Sequence, residues 1–518
     1  KRQFYIWGGY ANVANYPPAL KDAGLKITPI EQVSGSPEAF QGRMKTISFP
    51  VCSGILYRRG DASDEKDLAK LSIPAIDCVV VNFYPFESAV DKGLQGSSLI
   101  DEVDIGGPTL VRAAAKNAPD VLVLTSPRQY GDVISALGHE GAVPHDIAHR
   151  CASEAWDRVL AYDQAIQREL GTSGKRVLRY GENPHQKGSL DFDPDGPIAW
   201  DETLTKTELS YNNILDLSSC YALASDLAEL DSSSTGVVIV KHNNPCGVAM
   251  VPRSIEGAQK LALLRAWDGD PVSAFGGVVA FTDPIEEETA AWLAAAPGLT
   301  VDGVLGKMLL KRKNLKAVRV RRYGEVPRDS VVVVPGGRLH QTTDVGLGEK
   351  LECRTKAPWP EGREKLTRFG IAVCRALKSN ALAIVREFPG IPGSMQLVGA
   401  GQGQPNRVEA LEKLAVPRAQ AVLRDSEGKL GQCILVSDAF FPFRDTVDTA
   451  NSSGIRFIVQ PGGSIKDAES VAACDEHGIS MVFTGVSKWT TPPWSRMEST
   501  TQSMKCPMPF FGKCAEWQ

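Results

Sequence analysis

The sequence holds no stretch of about 18 consecutive apolar residues, which argues against a membrane-spanning helix. It has no Cys-x-x-Cys pair. Its 11 cysteines are scattered from Cys52 to Cys514, neither a disulfide framework nor a zinc-finger spacing, so reduced, mostly buried thiols in a cytoplasmic protein are expected. There is no basic excess: 57 Lys and Arg stand against 61 Asp and Glu, a formal net charge of -4. That disfavours a nucleic-acid coat or a polybasic membrane binder, but leaves anionic small molecules open. The segment Lys1 to Tyr10 lacks the apolar core of a secretory signal and opens almost at once on the strand-like run Phe4-Tyr5-Ile6-Trp7, as if the chain began inside a domain. No fixed-period repeat is visible.

What is present is ordinary for a globular α/β protein: 518 residues, 43% hydrophobic and 23% charged, more than one core usually serves. Cys78–Tyr84 and Val121–Thr125 are continuous apolar runs and read as fully buried strands. Between them Asp104-Ile105-Gly106-Gly107-Pro108 turns into an Ala-rich helical stretch, Thr109–Asn117, so a parallel sheet is expected. Apolar positions from Ile147 to Leu170 recur at three- and four-residue steps, a long amphipathic helix ending at Gly171-Thr172-Ser173-Gly174. Residues 1–171 and 172–489 therefore read as separate domains, with 490–518 a divergent tail expected to be disordered. The basic run Lys311–Arg322 reads as a solvated face or edge strand.

In the second domain, buried strands end in polar groups, as ligand-binding α/β sheets do. Val237–Val240 leads to Lys241-His242-Asn243-Asn244-Pro245-Cys246-Gly247, which joins a cation and a near-neutral base in a turn that Pro245 and Gly247 are expected to shape. Pro-Cys invites comparison with zinc deaminases, but no second cysteine follows and no His-x-Glu occurs, so a metal site is not expected. Arg179-Tyr180-Gly181-Glu182-Asn183-Pro184-His185-Gln186 suits a phosphate or carboxylate. Gly399–Gln404 and Pro461–Ser464 could bring backbone N–H groups to a ligand, although Gly401-Gln402-Gly403 lacks the third glycine of a dinucleotide fingerprint. In the first domain, Lys45, Tyr84, Asp104 and Lys116 fall at strand ends or turns, and spacing alone does not bring them together.

Jointly these segments are far more specific. Gly42–Thr46 (GRMKT), Val79–Phe86 (VVVNFYPF) and Asp104–Asn117 resemble the cyclohydrolase domain of the bifunctional AICAR transformylase/IMP cyclohydrolase family. Leu178–Gln186, Leu209–Asp216, Val238–Gly247, Ser273–Phe281, Lys378–Ile384, Ser437–Phe443 and Gln460–Ser464 resemble its transformylase domain, in the family's order. The resemblance implies a methylglyoxal-synthase-like parallel-sheet domain followed by a transformylase domain of two cytidine-deaminase-like α/β subdomains without zinc. It also implies a homodimer acting on AICAR, formyl-AICAR and 10-formyltetrahydrofolate as co-substrate. By the same resemblance Lys241, His242 and Asn380 would carry formyl transfer, and Lys45, Tyr84, Asp104 and Lys116 ring closure. Arg179, Tyr180, Asn183, Gly276, Gln404, Arg407, Asp438, Phe440, Phe441, Gly462 and Gly463 would bind substrate.

The chain departs from the family at both ends. The opening strand and its phosphate-holding SVSDKTG segment are missing. Ile6-Trp7-Gly8-Gly9-Tyr10 stands where the family has Ser-Thr-Gly-Gly-Thr, and Ile47–Cys52 contains neither of the family's two histidines. A depleted phosphate site and weakened ring closure are therefore expected, with a non-catalytic nucleotide- or folate-binding dimer as the alternative. At the other end Lys488 and Trp489 stand near the family's Arg-x-Phe-x-His, and Lys488 is a candidate stand-in for its arginine.

Overall fold

The computed structural model describes residues 4–7, 28–37, 39–40, 44, 46–140, 142–171, 174–203, 208–295, 300–301, 316–424 and 429–488. Lys45, most of the 6–10 phosphate turn, residues 311–315 and the tail 490–518 lie outside them. The chain divides into two compact units, Lys1–Ser173 and Gly174–Gln518.

In the first unit β1 (Phe4–Trp7), β2 (Cys78–Val81) and β3 (Leu122–Leu124) form a parallel sheet in that order. Phe4 pairs with Cys78, and Cys78 with Leu122. The β2 strand stops at Val81, three residues before the apolar run ends. Phe83 has left the ladder to pack on Tyr162 (ring centroids 5.0 Å apart), and Pro85 caps the next helix. The helices Gly106–Lys116 and His145–Leu170 cover the sheet with Val111, Ala114, Ala155 and Tyr162, each fully buried.

The second unit is built on a ten-stranded sheet. Its strands here are β7 (Ser234–Lys241), β8 (Asn244–Pro252), β9 (Val278–Phe281), β10 (Thr300–Val301), β14 (Glu352–Cys353), β15 (Leu382–Phe388), β16 (Ile391–Gly401), β17 (Ile434–Ser437), β18 (Phe457–Gln460) and β19 (Ser480–Phe483). They lie in the order β10-β9-β7-β8-β16-β15-β17-β18-β19-β14. Two-stranded ribbons are made by β4 (Gly174–Leu178) with β5 (Gly188–Phe192), β6 (Ile198–Thr203) with β11 (Val318–Val320), and β12 (Asp329–Val334) with β13 (Gly337–Thr342). The described part of the basic run is thus an edge ribbon strand, β11.

The apolar stretches of β7 and β15, Val237–Val240 and Leu382–Val385, are continuous because helices cover both faces. Along β7, Val238 and Val240 enter one core cluster, while Val237 and Ile239 enter the cluster on the opposite face. Along β15, Ala383 and Val385 divide in the same way from Leu382 and Ile384. Period-two alternation survives, but both phases are buried. Burying one Ile or Leu side chain contributes about 1.5–3 kcal/mol.

The sheet is a duplication. The helix Tyr211–Leu230, the hairpin β7–β8, the helix Ala258–Asp268 and β9 make one half. The helix Glu364–Ala376, the hairpin β15–β16, the helix Val416–Arg424 and β17 make the other, and the halves meet where β8 pairs with β16. Glycines let the helices sit close on these strands. A Cβ on Gly247 would stand 2.0 Å from Ala266 O, and on Gly399 and Gly401 it would stand 2.2 Å and 2.0 Å from Ala415 O and Ala410 O. The glycines of the 399–401 cluster therefore serve helix packing. Gly399 also lines the cavity at the active end of the sheet.

Candidate active site

Strand register places the site. Val240 pairs with Val278, so Lys241 lies beside Gly277 at one end of the sheet. Met250 pairs with Met395 antiparallel, which sets the start of β8 beside the finish of β16. Leu382 pairs with Gly401 on one side and Ser437 on the other. Val436 pairs with Val459, and Gln460 with Phe483. The motifs around Gly276, Lys241-His242, Gln402, Asn380, Asp438 and Gly462 thus lie along one end of one sheet. At about 4.8 Å per strand step, β7 and β15 are roughly 14 Å apart.

Lys241 and His242 end β7 at a two-residue hairpin. His242 and Asn243 have φ of 54° and 59°, left-handed at both central positions, as the tight hairpin turn matching strand twist requires. Pro245 and Gly247 lie within β8, so the expectation that they shape the turn is corrected. The turn is held from outside. Asp216, in the helix Tyr211–Leu230, accepts the Asn243 N–H at 2.7 Å, Ser219 Oγ donates to Asn243 Oδ1 at 3.0 Å, and Asn244 Nδ2 donates to His242 O at 2.9 Å. Burial pushes the Asp216 carboxyl above its ordinary range, against the pull of the Asn243 and His242 N–H groups and of the imidazole. Lys241 Nζ donates to Phe275 O at 2.9 Å, next to Gly276 (φ 75°). A cavity of about 190 Å³ opens here, lined by Lys241, His242, Asn244, Cys246, Gly399 and Gln402 among others.

Three strands away, Arg407 organises a second group. Its Nη2 donates to Asn380 Oδ1 at 2.8 Å and Asp438 Oδ1 at 2.9 Å, and its Nη1 to Phe440 O at 3.0 Å. Asn380 Nδ2 donates to Gln404 O at 2.8 Å, and Ser379 Oγ donates to Asp438 Oδ2. Asn380, Gln404, Arg407, Asp438 and the partly exposed Phe440 are therefore one network. Phe441 does not join it. Its side chain is fully buried beside Val447 and Ile458, so its assignment as a ligand-facing aromatic is corrected to a core role.

Gly462 and Gly463 have φ of 73° and 97°, and a Cβ on Gly462 would stand 2.5 Å from the Phe483 ring. The Gly463 N–H is bound by Asp467 at 2.7 Å, so that donor is engaged. Arg179 stacks on Tyr180, its guanidinium carbon 5.0 Å from the ring centroid, and the N–H and amide of Asn183 both bond Gln186 Oε1. Asn212 Nδ2 donates to Glu182 O at 3.2 Å. This anchors the Arg179 loop to the helix that carries Asp216, about 6 Å along the axis from Asn212.

Lys488 is not a free stand-in for an arginine. Its side chain is 7% exposed, with Nζ 2.9 Å from Asp344 and 2.6 Å from Glu349. Its N–H donates to Asp438 O at 2.7 Å. A residue the sequence reading passed over is Lys378, whose half-buried ammonium is pushed below the ordinary lysine range by desolvation. The signal for it lies in the family-like segment Lys378–Ile384, which also holds Asn380.

In the first unit the Asp104 carboxylate accepts the Gly107 N–H at 2.8 Å and is also bonded by the Tyr84 N–H. Desolvation raises its pKa against these bonds. The Asp104 N–H donates to Tyr162 Oη at 2.8 Å, and Thr46 sits against Gly106. Tyr84 and Asp104 are thus brought together. Lys116 stands at the far end of the helix that begins at Gly106, about 15 Å along its axis, and is not brought to them. Among the described residues no cluster of three or more His, Cys, Asp or Glu could hold a metal ion, and no helix is long and apolar enough to cross a membrane.

This geometry defines a two-unit α/β enzyme with an imidazole, an ammonium and a carboxamide at one end of a duplicated sheet. The methylglyoxal-synthase-like domain model matches residues 18–109, and the model described as AICARFT/IMPCHase bienzyme matches residues 114–418, more than half the chain. Over 492 residues the chain is 38% identical to the bifunctional purine biosynthesis protein PurH of Aquifex aeolicus, covering 90% of this chain and 92% of that one. It is 37% identical to PurH of Synechocystis over 492 residues (90% and 91%) and 39% identical to PurH of Parasynechococcus marenigrum over 508 (92% and 94%). The chain belongs to the AICARFT/IMPCHase bienzyme family, and the resemblance and fold class read from its motifs are borne out.

Proposed function

We propose that this chain catalyses two successive steps of purine biosynthesis, one in each unit. The second unit transfers the formyl group of 10-formyltetrahydrofolate to the 5-amino group of AICAR. The first closes formyl-AICAR to IMP with loss of water. The observation that carries the transfer step is the alignment of the His242 hairpin with the Asn380–Arg407–Asp438 network along one sheet end.

The amine of AICAR is a weak nucleophile because its lone pair is delocalised into the ring. As it attacks the formyl carbon, a C–N bond forms and the amine proton passes to His242, a role worth about 10²–10⁴-fold. Lys241 and Asn380 stabilise the oxyanion that develops on the formyl oxygen. The bond to folate N10 then breaks and that nitrogen takes up a proton. Arg179 and Tyr180 hold the nucleotide, with Asn183, Gly276, Gln404, Gly462 and Gly463 shaping its site. Phe440 faces the folate, and Asp438, fully buried, acts through Arg407. In the first unit the carboxamide nitrogen attacks the formyl carbon intramolecularly, so positioning by Tyr84 and Asp104, with Lys45 supplying a cation, carries most of the acceleration. The same reading takes the working form to be a cytoplasmic homodimer that uses small molecules and no metal, nucleic acid or membrane.

The test supplies purified chain with AICAR and 10-formyltetrahydrofolate and follows tetrahydrofolate and IMP separately. Both products are expected. A non-catalytic nucleotide- or folate-binding dimer is not favoured by the family match, and saturable binding of both substrates without either product would establish it instead.

A further inference from the structure

The cations along the active end of the sheet are nearly all committed within the protein. Lys241 is bonded to Phe275 O, Arg407 to Asn380, Asp438 and Phe440 O, and Lys488 to Asp344 and Glu349. Arg418 lies 3.6 Å from Asp270 and donates to Ala400 O. Lys378 differs. Among the described residues its ammonium has no hydrogen bond and no ion pair, although the residue is half-buried. It is fixed in the middle of the network: Leu377 before it is fully buried, its own carbonyl accepts the Gly403 N–H at 2.8 Å, and Ser379 after it bonds Asp438. Desolvation depresses its pKa. A partly desolvated ammonium without a counter-charge is unfavourable unless an anion arrives to meet it.

We propose that Lys378 is a substrate-binding residue that receives an oxyanion, phosphate or carboxylate, of a substrate bound at this sheet end. The inference rests on the formyl-transfer reading above. Both substrates carry suitable groups: AICAR a phosphate monoester, and the folate co-substrate the carboxylates of its glutamate.

Steady-state kinetics of Lys378→Met and Lys378→Arg with each substrate varied test the inference. Lys378→Met should raise the KM for one substrate about 10- to 100-fold, the effect of losing one charge-assisted hydrogen bond, with Lys378→Arg restoring part of it. Substrate truncation identifies the anion. If the phosphate is received, the penalty disappears with AICA riboside, which lacks it. If a carboxylate is received, it disappears with a 10-formyltetrahydropteroate lacking glutamate. Unchanged KM values in a folded, active Lys378→Met enzyme overturn the inference, as does an equal penalty for full and truncated forms of both substrates. Absence of formyl transfer by the unmodified chain would instead overturn the functional reading on which it rests.

Discussion

Removing the Arg407 guanidinium should be one of the most damaging single changes in the second unit, and removing Asp438 with it should be far milder. The pair is 2.9 Å apart, with side chains 8% and 0% exposed. In Arg407→Met the Asp438 carboxylate keeps the Ser379 hydroxyl but loses its counter-charge in a dry site. Breaking a buried pair from one side costs about 3–5 kcal/mol, whereas replacing both partners with neutral groups of similar size is often near neutral. Against a total stability of about 5–15 kcal/mol, the single loss is severe. Urea unfolding followed by tryptophan fluorescence reports mainly on this unit, because only Trp7 and Trp156 of the nine tryptophans lie in the other. Arg407→Met should lose about 3–5 kcal/mol, and Arg407→Met/Asp438→Asn less than half of that. Formyl transfer should fall in both variants, because Asn380 loses the donor to its side-chain oxygen. A double variant no more stable than the single one would refute the electrostatic argument and leave only lost packing.

Two further outcomes follow from buried groups. Tyr162→Phe keeps the ring packed on Phe83 but removes the acceptor of the Asp104 N–H. It should destabilise the first unit by about 1–3 kcal/mol and slow closure of formyl-AICAR roughly tenfold, leaving formyl transfer unchanged; unaltered closure would show that the Tyr162 hydroxyl does not position Asp104. The Asp216 carboxyl is raised above its ordinary value of 3.8 by burial, so it favours folding below that value and progressively less as pH rises through its folded pKa. Asp216→Asn does not titrate, so its stability relative to the unmodified chain should rise as pH increases from 3.8 through the folded pKa of Asp216. A pH-independent difference in urea midpoint would contradict the assigned direction.

Much of this architecture was legible because burial on both faces leaves continuous apolar runs, and β7, β17 and β18 stand where such runs occur. The helix ending at Leu170 was legible from its periodicity alone. The hairpin turn was not. Its central residues, His242 and Asn243, include no glycine, and the nearby Pro245 and Gly247 gave a stronger but misleading local signal. What Gly399 and Gly401 admit was not legible either, since a glycine admitting a helix backbone reads in one dimension like a glycine admitting a ligand. The alignment of distant motifs along one sheet end depends on pairings such as Met250 with Met395, which join segments far apart in the chain. Whether a charge is committed, as in Lys488, or left without a partner among the described residues, as in Lys378, is equally non-local.

The central claim is that the His242 hairpin carries formyl transfer independently of the first unit. The direct measurement is His242→Ala, assayed in parallel for formyl transfer to AICAR and for closure of added formyl-AICAR. Formyl transfer is expected to fall by about 10²–10⁴-fold, with closure unchanged. Equal loss of both activities in a variant with an intact fold, or full retention of formyl transfer, would contradict the account.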